Sequence, residues 1–211
     1  MSEVNVMIET GENVLEGLLE RGENPAIAAI VCHPHPLYGG NMDNGVVVTV
    51  QRVLRSWGWS TLRFNFRGVG RSSGSYADGE GEAEDVRAVA SYLFQQGFEA
   101  LHVGAYSFGA WVALKALGPS FQPASMILVS PPVDFLDFTD LVLPSRPCLI
   151  TLGDRDDFCS LASIQKWIGK QPVAETSIDV EIFPGCDHFY WGSEAILSAK
   201  ISEFLKTHLS K

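Results

Sequence analysis

Apolar and polar residues alternate in two short stretches at the start of the chain, Val4 to Ile8 and Val14 to Leu19, with Thr10-Gly-Glu-Asn13 between them. A period of two is that of a half-exposed strand, so the pair is expected as an antiparallel hairpin at a sheet edge. The pattern then changes. Ala26-Ile-Ala-Ala-Ile-Val-Cys32 is a continuous apolar run, which suits a central strand covered on both faces. Asp43 is expected to cap a helix from Asn44 to about Ser56, although Val46-Val-Val-Thr-Val50 within it is also a strand sequence. Ser60 to Phe66 reads as the next strand. In Glu82 to Gln96 the period becomes helical: Val86, Val89, Ala90, Leu93 and Phe94 fall on one face, and Gly97 ends it. Leu101 to Val103 is β-capable and Phe108 to Leu117 helical, with Gly118-Pro119 as the stop. Ala124 to Ser130, Pro147 to Leu152 and Ile178 to Phe183 are further strands. Leu161 to Ile168 is a helix, and Leu197, Ile201, Phe204, Leu205 and His208 form the inner face of the last one.

A hairpin followed by repeated strand–helix units predicts an α/β fold with a doubly wound, mostly parallel sheet. Residues 1–211 are expected to form one domain, since no linker, repeat or low-complexity tract interrupts the pattern. In such sheets ligands bind at the carboxyl ends of the strands. The loops expected there are 32–40, 67–74, the turn at Ser107, 153–158 and 184–191. The reactive residues of the chain concentrate in these five places. The Pro131–Pro144 connection is too short for a large cap domain, so the site should be open.

Composition narrows the partners. The formal net charge of -10 argues against nucleic acid and anionic membranes, which select basic faces. The N-terminus, Met1-Ser-Glu-Val-Asn, carries no basic segment followed by a long apolar run, and no apolar run reaches membrane-spanning length. Cys32, Cys148, Cys159 and Cys186 show no Cys-x-x-Cys pairing and read as free thiols. A cytoplasmic protein is expected.

The chemistry centres on Ser107. Leu101-His-Val-Gly-Ala-Tyr-Ser-Phe-Gly-Ala-Trp-Val112 passes from strand to helix with almost no loop, and Ala105 and Gly109 leave room for the two to approach. This is close to the nucleophile elbow Gly-x-Ser-x-Gly, with Ala105 in place of the first glycine. A plainer reading is a serine capping an ordinary helix. It loses ground to the acids and the histidine that come later in the chain. A serine nucleophile needs a base, and the base an orienting carboxylate, arriving in the order acid then histidine after later strands. Asp154, Asp156 and Asp157 follow one strand and His188 follows the last. Asp156 is preferred because Gly153 turns the chain and a residue three further on can point back to the cleft. Asp157 comes next and Asp154 last. A tetrahedral intermediate needs two N–H donors. Phe108 supplies one amide. The loop His33-Pro-His-Pro-Leu-Tyr-Gly-Gly40 supplies the other, and with Pro34 and Pro36 excluded the choice lies between Leu37, preferred, and His35. Tyr38, Phe108, Phe158, Tyr190 and Trp191 are candidates for the wall of an apolar acyl pocket, with Tyr38, Phe158 and Tyr190 preferred as substrate-binding residues. His33 and His35 are expected to hold their own loop. Metal chelation by His33, His35 and His188 is a weaker alternative, because the adjacent prolines restrict the rings, so no metal or other cofactor is expected. Arg63, Arg67 and Arg71 are expected to bond loops or solvent.

With these residues in hand, the chain resembles the α/β-hydrolases over essentially its whole length, in particular small lidless dienelactone-hydrolase-like members with a His-Pro-His-Pro loop. The residues carrying the likeness are 33–40, 62–72, Ala105-Tyr-Ser-Phe-Gly109, Gly153-Asp-Arg-Asp156 and Cys186-Asp-His188. The resemblance implies Ser107 as nucleophile, Asp156 as acid and His188 as base. The chain departs at Ala105 and in using serine where dienelactone hydrolases use cysteine, which favours ester chemistry. The expected function is a carboxylesterase-like serine hydrolase working through an acyl-enzyme on a small-molecule acyl substrate. A thioesterase or small peptidase would use the same parts, and a non-catalytic ligand sensor would share the fold. The exposed edge hairpin leaves a homodimer open.

Overall fold

A computed structural model describes residues 3–172 and 178–209. The first two runs of alternating residues pair as expected: β1 (Val4–Thr10) and β2 (Asn13–Glu20) are antiparallel, in register from Val4 opposite Leu19 to Thr10 opposite Asn13. The later expected strands become β3 (Ile27–Cys32), β4 (Ser60–Phe64), β5 (Ala100–Tyr106), β6 (Met126–Val129), β7 (Cys148–Gly153) and β8 (Ile178–Phe183). The eight strands lie in the order β1-β2-β4-β3-β5-β6-β7-β8. β2 meets β4 antiparallel, and from β4 to β8 every pairing is parallel. The fold is that of an α/β protein whose mostly parallel sheet carries an antiparallel N-terminal hairpin.

Among the described residues five α-helices cover the sheet: α1 (Gly45–Ser56), α2 (Glu80–Gln95), α3 (Phe108–Lys115), α4 (Leu161–Ile168) and α5 (Glu194–His208). One core lies under α2, α3 and α4 and includes Phe64, Val86, Val112, Leu128 and Ile164. The other lies under α1 and α5 and includes Val47, Val50, Leu54, Leu197, Ile201 and Phe204. The inner strands β3, β5, β6 and β7 are therefore packed on both sides, which explains their mainly apolar sequences, whereas β8, at the sheet edge, alternates and leaves Val180 and Ile182 exposed. The β-branched run Val46 to Val50 is helical because Val46, Val47 and Val50 bury against the sheet, and this packing outweighs their strand preference.

Three expectations need correction. The α1 cap is Asn44, whose side chain accepts from the Val46 N–H; Asp43 pairs with Arg63 instead. Phe94 is 42% exposed and leaves the inner face of α2 to Val86, Val89, Ala90 and Leu93, which sit deeper under the sheet. The fourth strand stops at Phe64, because beyond the Asn65 amide the chain turns into its loop and the Phe66 amide bonds the His33 ring.

The strand order reverses around β3. The chain leaves β3 for β4 on one side through α1, then returns past it to β5 on the other side through α2. The loops after β3 and β5 thus part in opposite directions and open a crevice at the carboxyl ends of those strands.

Candidate active site

Ser107 stands where β5 becomes α3. Its backbone is left-handed, φ 55° and ψ -122°, a conformation that costs a non-glycine residue about 1–3 kcal/mol. The chain holds it there because α3 begins directly behind β3. A Cβ on Gly109 would lie 2.6 Å from the His33 carbonyl oxygen and 2.8 Å from that of Cys32, so only glycine permits the approach. Gly104 serves the other side, where a Cβ would run into Val50.

His188 follows β8, and its Nε2 is 2.8 Å from the Ser107 hydroxyl. Its Nδ1 is 2.9 Å from both carboxylate oxygens of Asp156. The three acids after β7 separate clearly. Asp156 is buried and faces the imidazole. Asp154 is exposed and accepts from the Gly185 N–H, and Asp157 is exposed. Gly153 makes the turn, since a Cβ there would overlap the Cys186 carbonyl of the histidine loop. Asp156 Oδ1 also accepts from the Phe158 N–H at 2.9 Å, which keeps the carboxylate from rotating. The Tyr106 hydroxyl donates to the His188 carbonyl at 2.8 Å and pins the histidine loop against the strand that carries the serine. Burial and the nearby Asp156 charge push the Tyr106 pKa up, so it stays a donor.

The loop after β3 is built around its two histidines. His33 is buried; its Nε2 accepts from the Phe66 N–H at 3.0 Å and its Nδ1 faces the Pro34 carbonyl at 2.6 Å. The proton therefore sits on Nδ1, and burial lowers the pKa to about 4. The Pro34 carbonyl and the His35 N–H belong to one trans peptide and point opposite ways, so this bond turns the His35 N–H away from His33. Leu37 corrects the preferred oxyanion assignment. Its N–H is already given to His35 Nδ1 at 3.2 Å, and its side chain is exposed, away from the cavity. Among the described residues the amides of His35 and Phe108, both beside the cavity, have no protein acceptor. With both nitrogens engaged, His33 has no lone pair for a metal, and among the described residues no group of three His, Cys, Asp or Glu side chains is placed to hold one.

A cavity of about 320 Å³ opens over Ser107 and His188. Tyr38 and Phe158 line it. Tyr190 does not: it is fully buried, and its hydroxyl lies 3.1 Å from Ser130 Oγ and 2.9 Å from Thr151 Oγ1. A left-handed φ of 58° turns it inward, under the loop rather than over the cleft. Trp191 is 82% exposed and lies outside the cavity. Sequence reasoning missed the walls made by Asn44, Pro132, Phe135, Leu136 and Phe189. Residues 131–136 follow the carboxyl end of β6, so the strand-end rule that found the other loops applied here too. Arg67 is committed to the buried Asp85 at 2.7 Å and Arg63 to Glu3 and Asp43, which leaves neither for an anion. Cys186 gives its Sγ–H to the Asp187 carbonyl, and burial raises its pKa, so it remains a thiol. Among the described residues no helix is long and apolar enough to cross a membrane.

No family model matches the chain. It is 35% identical over 205 residues to the uncharacterized protein RP471 of Rickettsia prowazekii (strain Madrid E), covering 93% of this chain and 86% of that one. Among solved structures it is similar to an alpha-beta serine hydrolase homologue from Coxiella burnetii, at 31% identity and a TM-score of 0.88 over 97% of this chain and 98% of that one. It is also similar to XC6422 from Xanthomonas campestris, described as an α/β serine hydrolase without lid, at 30% identity and a TM-score of 0.90 over 100% and 97% of the two chains.

Proposed function

The chain belongs to the α/β serine hydrolases, and from that premise we propose that it is a carboxylic ester hydrolase working through an acyl-enzyme on Ser107. The observation that carries the reading is the unbroken line from Ser107 Oγ through His188 to Asp156, at 2.8 and 2.9 Å, with the serine held at a left-handed φ on the N-terminus of α3. It resembles lidless members of the family, those with a His-Pro-His-Pro loop of the kind seen at 33–36.

Ser107 Oγ attacks the ester carbonyl carbon as its proton passes to His188 Nε2. The Asp156 carboxylate stabilises the imidazolium so formed. The carbonyl oxygen becomes an oxyanion and is met by the Phe108 and His35 amides, with the start of α3 adding its partial positive charge. The carbon–oxygen bond to the leaving group breaks, and His188 returns the proton to the departing alkoxide. Water then enters, gives its proton to His188 and attacks the acyl carbon; the bond to Ser107 Oγ breaks as His188 Nε2 returns that proton to it, releasing the acid and the free serine. The cavity is open and lined mainly by aromatic and small side chains, so the substrate is a small, neutral acyl ester. No cofactor takes part in these steps.

The experiment is intact-mass labelling with a fluorophosphonate, wild type beside Ser107→Ala, with turnover of p-nitrophenyl acetate and butyrate on both. One adduct on the wild type alone, with turnover lost in the variant, is the expected result. Absence of both adduct and turnover in the wild type would overturn the reading in favour of a ligand-binding role for the same cleft.

A further inference from the structure

The side of the cavity on which the alcohol departs is set by proton transfer. To accept a proton, the leaving oxygen must come within about 2.6–3.2 Å of His188 Nε2. The group attached to that oxygen must therefore pass beside the imidazole. Three phenyl rings stand there. Phe158 lies 4.8 Å from the His188 ring between centroids, and Phe189 lies 5.8 Å away at 90°. Phe135 meets Phe158 at 5.7 Å and 88°. All three line the cavity, and Phe135 and Phe189 remain 51% and 56% exposed, so their free faces and edges are turned to whatever enters. Asn44, Gly39, Gly40 and Tyr38 line the same cavity on the side of the His-Pro-His-Pro loop.

Resting on the ester-hydrolase reading above, we propose that Phe135, Phe158 and Phe189 form the leaving-group subsite, and that the preferred substrates are esters of alcohols carrying an aromatic ring.

The rings are held for this purpose. The Phe158 N–H is bonded to the Asp156 carboxylate, and its carbonyl accepts from the Asp134 N–H at 3.1 Å. Asp134 in turn accepts from the Ser160 N–H and the Ser163 hydroxyl at the start of α4. The segment bearing Phe135 is thus tied to the segment bearing the acid and Phe158. Phe135 stands perpendicular to Phe158, and Phe189 perpendicular to the His188 ring, an arrangement of faces and edges that favours edge-to-face packing of a further ring. The Tyr106 hydroxyl, from a residue that lines the same cavity, is spent on the His188 carbonyl. A polyhydroxylated alcohol would leave its hydroxyls unpaired there, and the net charge of -10 disfavours an anionic one.

The test compares benzyl with cyclohexylmethyl acetate, whose alcohols have similar size and basicity and differ in aromaticity, and benzyl acetate with benzyl butyrate, which differ in the acyl group. The wild type should favour the benzyl ester in kcat/KM by roughly two- to tenfold, the range that ring pairing gives. Phe189→Leu and Phe135→Leu should each bring that ratio toward one while the acetate-to-butyrate ratio stays put. Both residues are half exposed, so the fold is not at stake. Trp191→Ala, outside the cavity, should leave both ratios as in the wild type. A wild-type ratio near one, or variants that move the acetate-to-butyrate ratio instead, would overturn the proposal and assign the rings to the acyl group. Failure of the ester-hydrolase reading itself looks different: no ester turns over and Ser107 takes no fluorophosphonate.

Discussion

Asp156→Asn tests the heart of the site, because three acids sit within four residues and the structure distinguishes them by geometry alone. Both carboxylate oxygens lie 2.9 Å from His188 Nδ1, and Oδ1 also accepts from the Phe158 N–H. In the asparagine variant one oxygen is replaced by an NH₂ group. If the remaining oxygen serves Phe158, the NH₂ faces His188 Nδ1 and draws out the tautomer protonated on Nε2, which is unable to take the serine proton. The charge opposite the imidazolium is also lost. At 2.9 Å and an effective dielectric of about 20, that interaction is about 6 kcal/mol, or roughly 10⁴-fold in rate. The variant is nearly isosteric and keeps the Phe158 bond, so its melting temperature should move little. The assay is kcat/KM for p-nitrophenyl acetate at neutral pH, with circular dichroism as the fold control and Asp154→Asn and Asp157→Asn as comparators. Asp157 is exposed and Asp154 holds the Gly185 amide, so both should stay within a few-fold of wild type. An Asp156→Asn variant retaining a tenth of wild-type activity, or an Asp157→Asn variant falling as far, would refute the assignment.

Gly109→Ala should cut kcat/KM by at least 10²-fold and lower stability by about 1–3 kcal/mol in urea unfolding, because the new methyl meets the Cys32 and His33 carbonyl oxygens and must push the serine turn away from β3; wild-type activity would show that the approach is not needed. Stability should also fall as the pH drops. Burial lowers His33 and His102 to a pKa of about 4, whereas in the unfolded chain each binds a proton near pH 6.5. The unfolded state is therefore favoured as the pH falls from about 6.5 to 4, by about 3 kcal/mol per histidine, with no further loss from these groups below that. His102→Gln should remove roughly half of this slope in urea titrations between pH 7 and 4.5; an unchanged slope would sink the argument.

Much of this architecture is legible in the sequence, and the reason is physical. Strands buried on both faces must be apolar throughout, so Ala26 to Cys32 announces itself without its partners, and the placement of reactive loops follows from which strand ends they leave. The order of Ser107, Asp156 and His188 is equally open to reading, because the topology requires the acid and the base to arrive on later strands. What escapes the sequence depends on the direction of single groups. The Leu37 amide is taken by one imidazole nitrogen, His35 Nδ1, and the His35 amide is directed by the bond of His33 to the Pro34 carbonyl. Tyr190 looks like a wall residue from its place beside His188, but a left-handed φ sends it below the loop. Asp43 and Asn44 are both good caps, and the choice was made by Arg63, remote in sequence, which takes Asp43 for itself. Phe94 carries the right helical spacing and still stays out, since spacing describes a face and not its depth.

The positions of strain explain the placement of Tyr190. Ser107, Ser130 and Tyr190 all have left-handed φ, at 55°, 44° and 58°, and all lie just past or near carboxyl ends of strands. At about 1–3 kcal/mol each, such residues persist only where the surroundings over-determine them. Here they support one another. The Ser107 amide donates to the Val129 carbonyl, the Ser130 amide donates to the Thr151 carbonyl, and the Tyr190 hydroxyl bridges the side chains of Ser130 and Thr151. The turn bearing the serine is thereby joined through β6 and β7 to the loop bearing the histidine. The 2.8 Å contact between Ser107 and His188 is thus set by a buried polar chain running beneath the cavity, and Tyr190 belongs to that chain rather than to the substrate. A residue can sit beside the chemistry in sequence and serve it from below. Hydrophobic patterning does not register that role, because an inward-turned tyrosine and a pocket-lining one contribute the same apolar ring to the same loop.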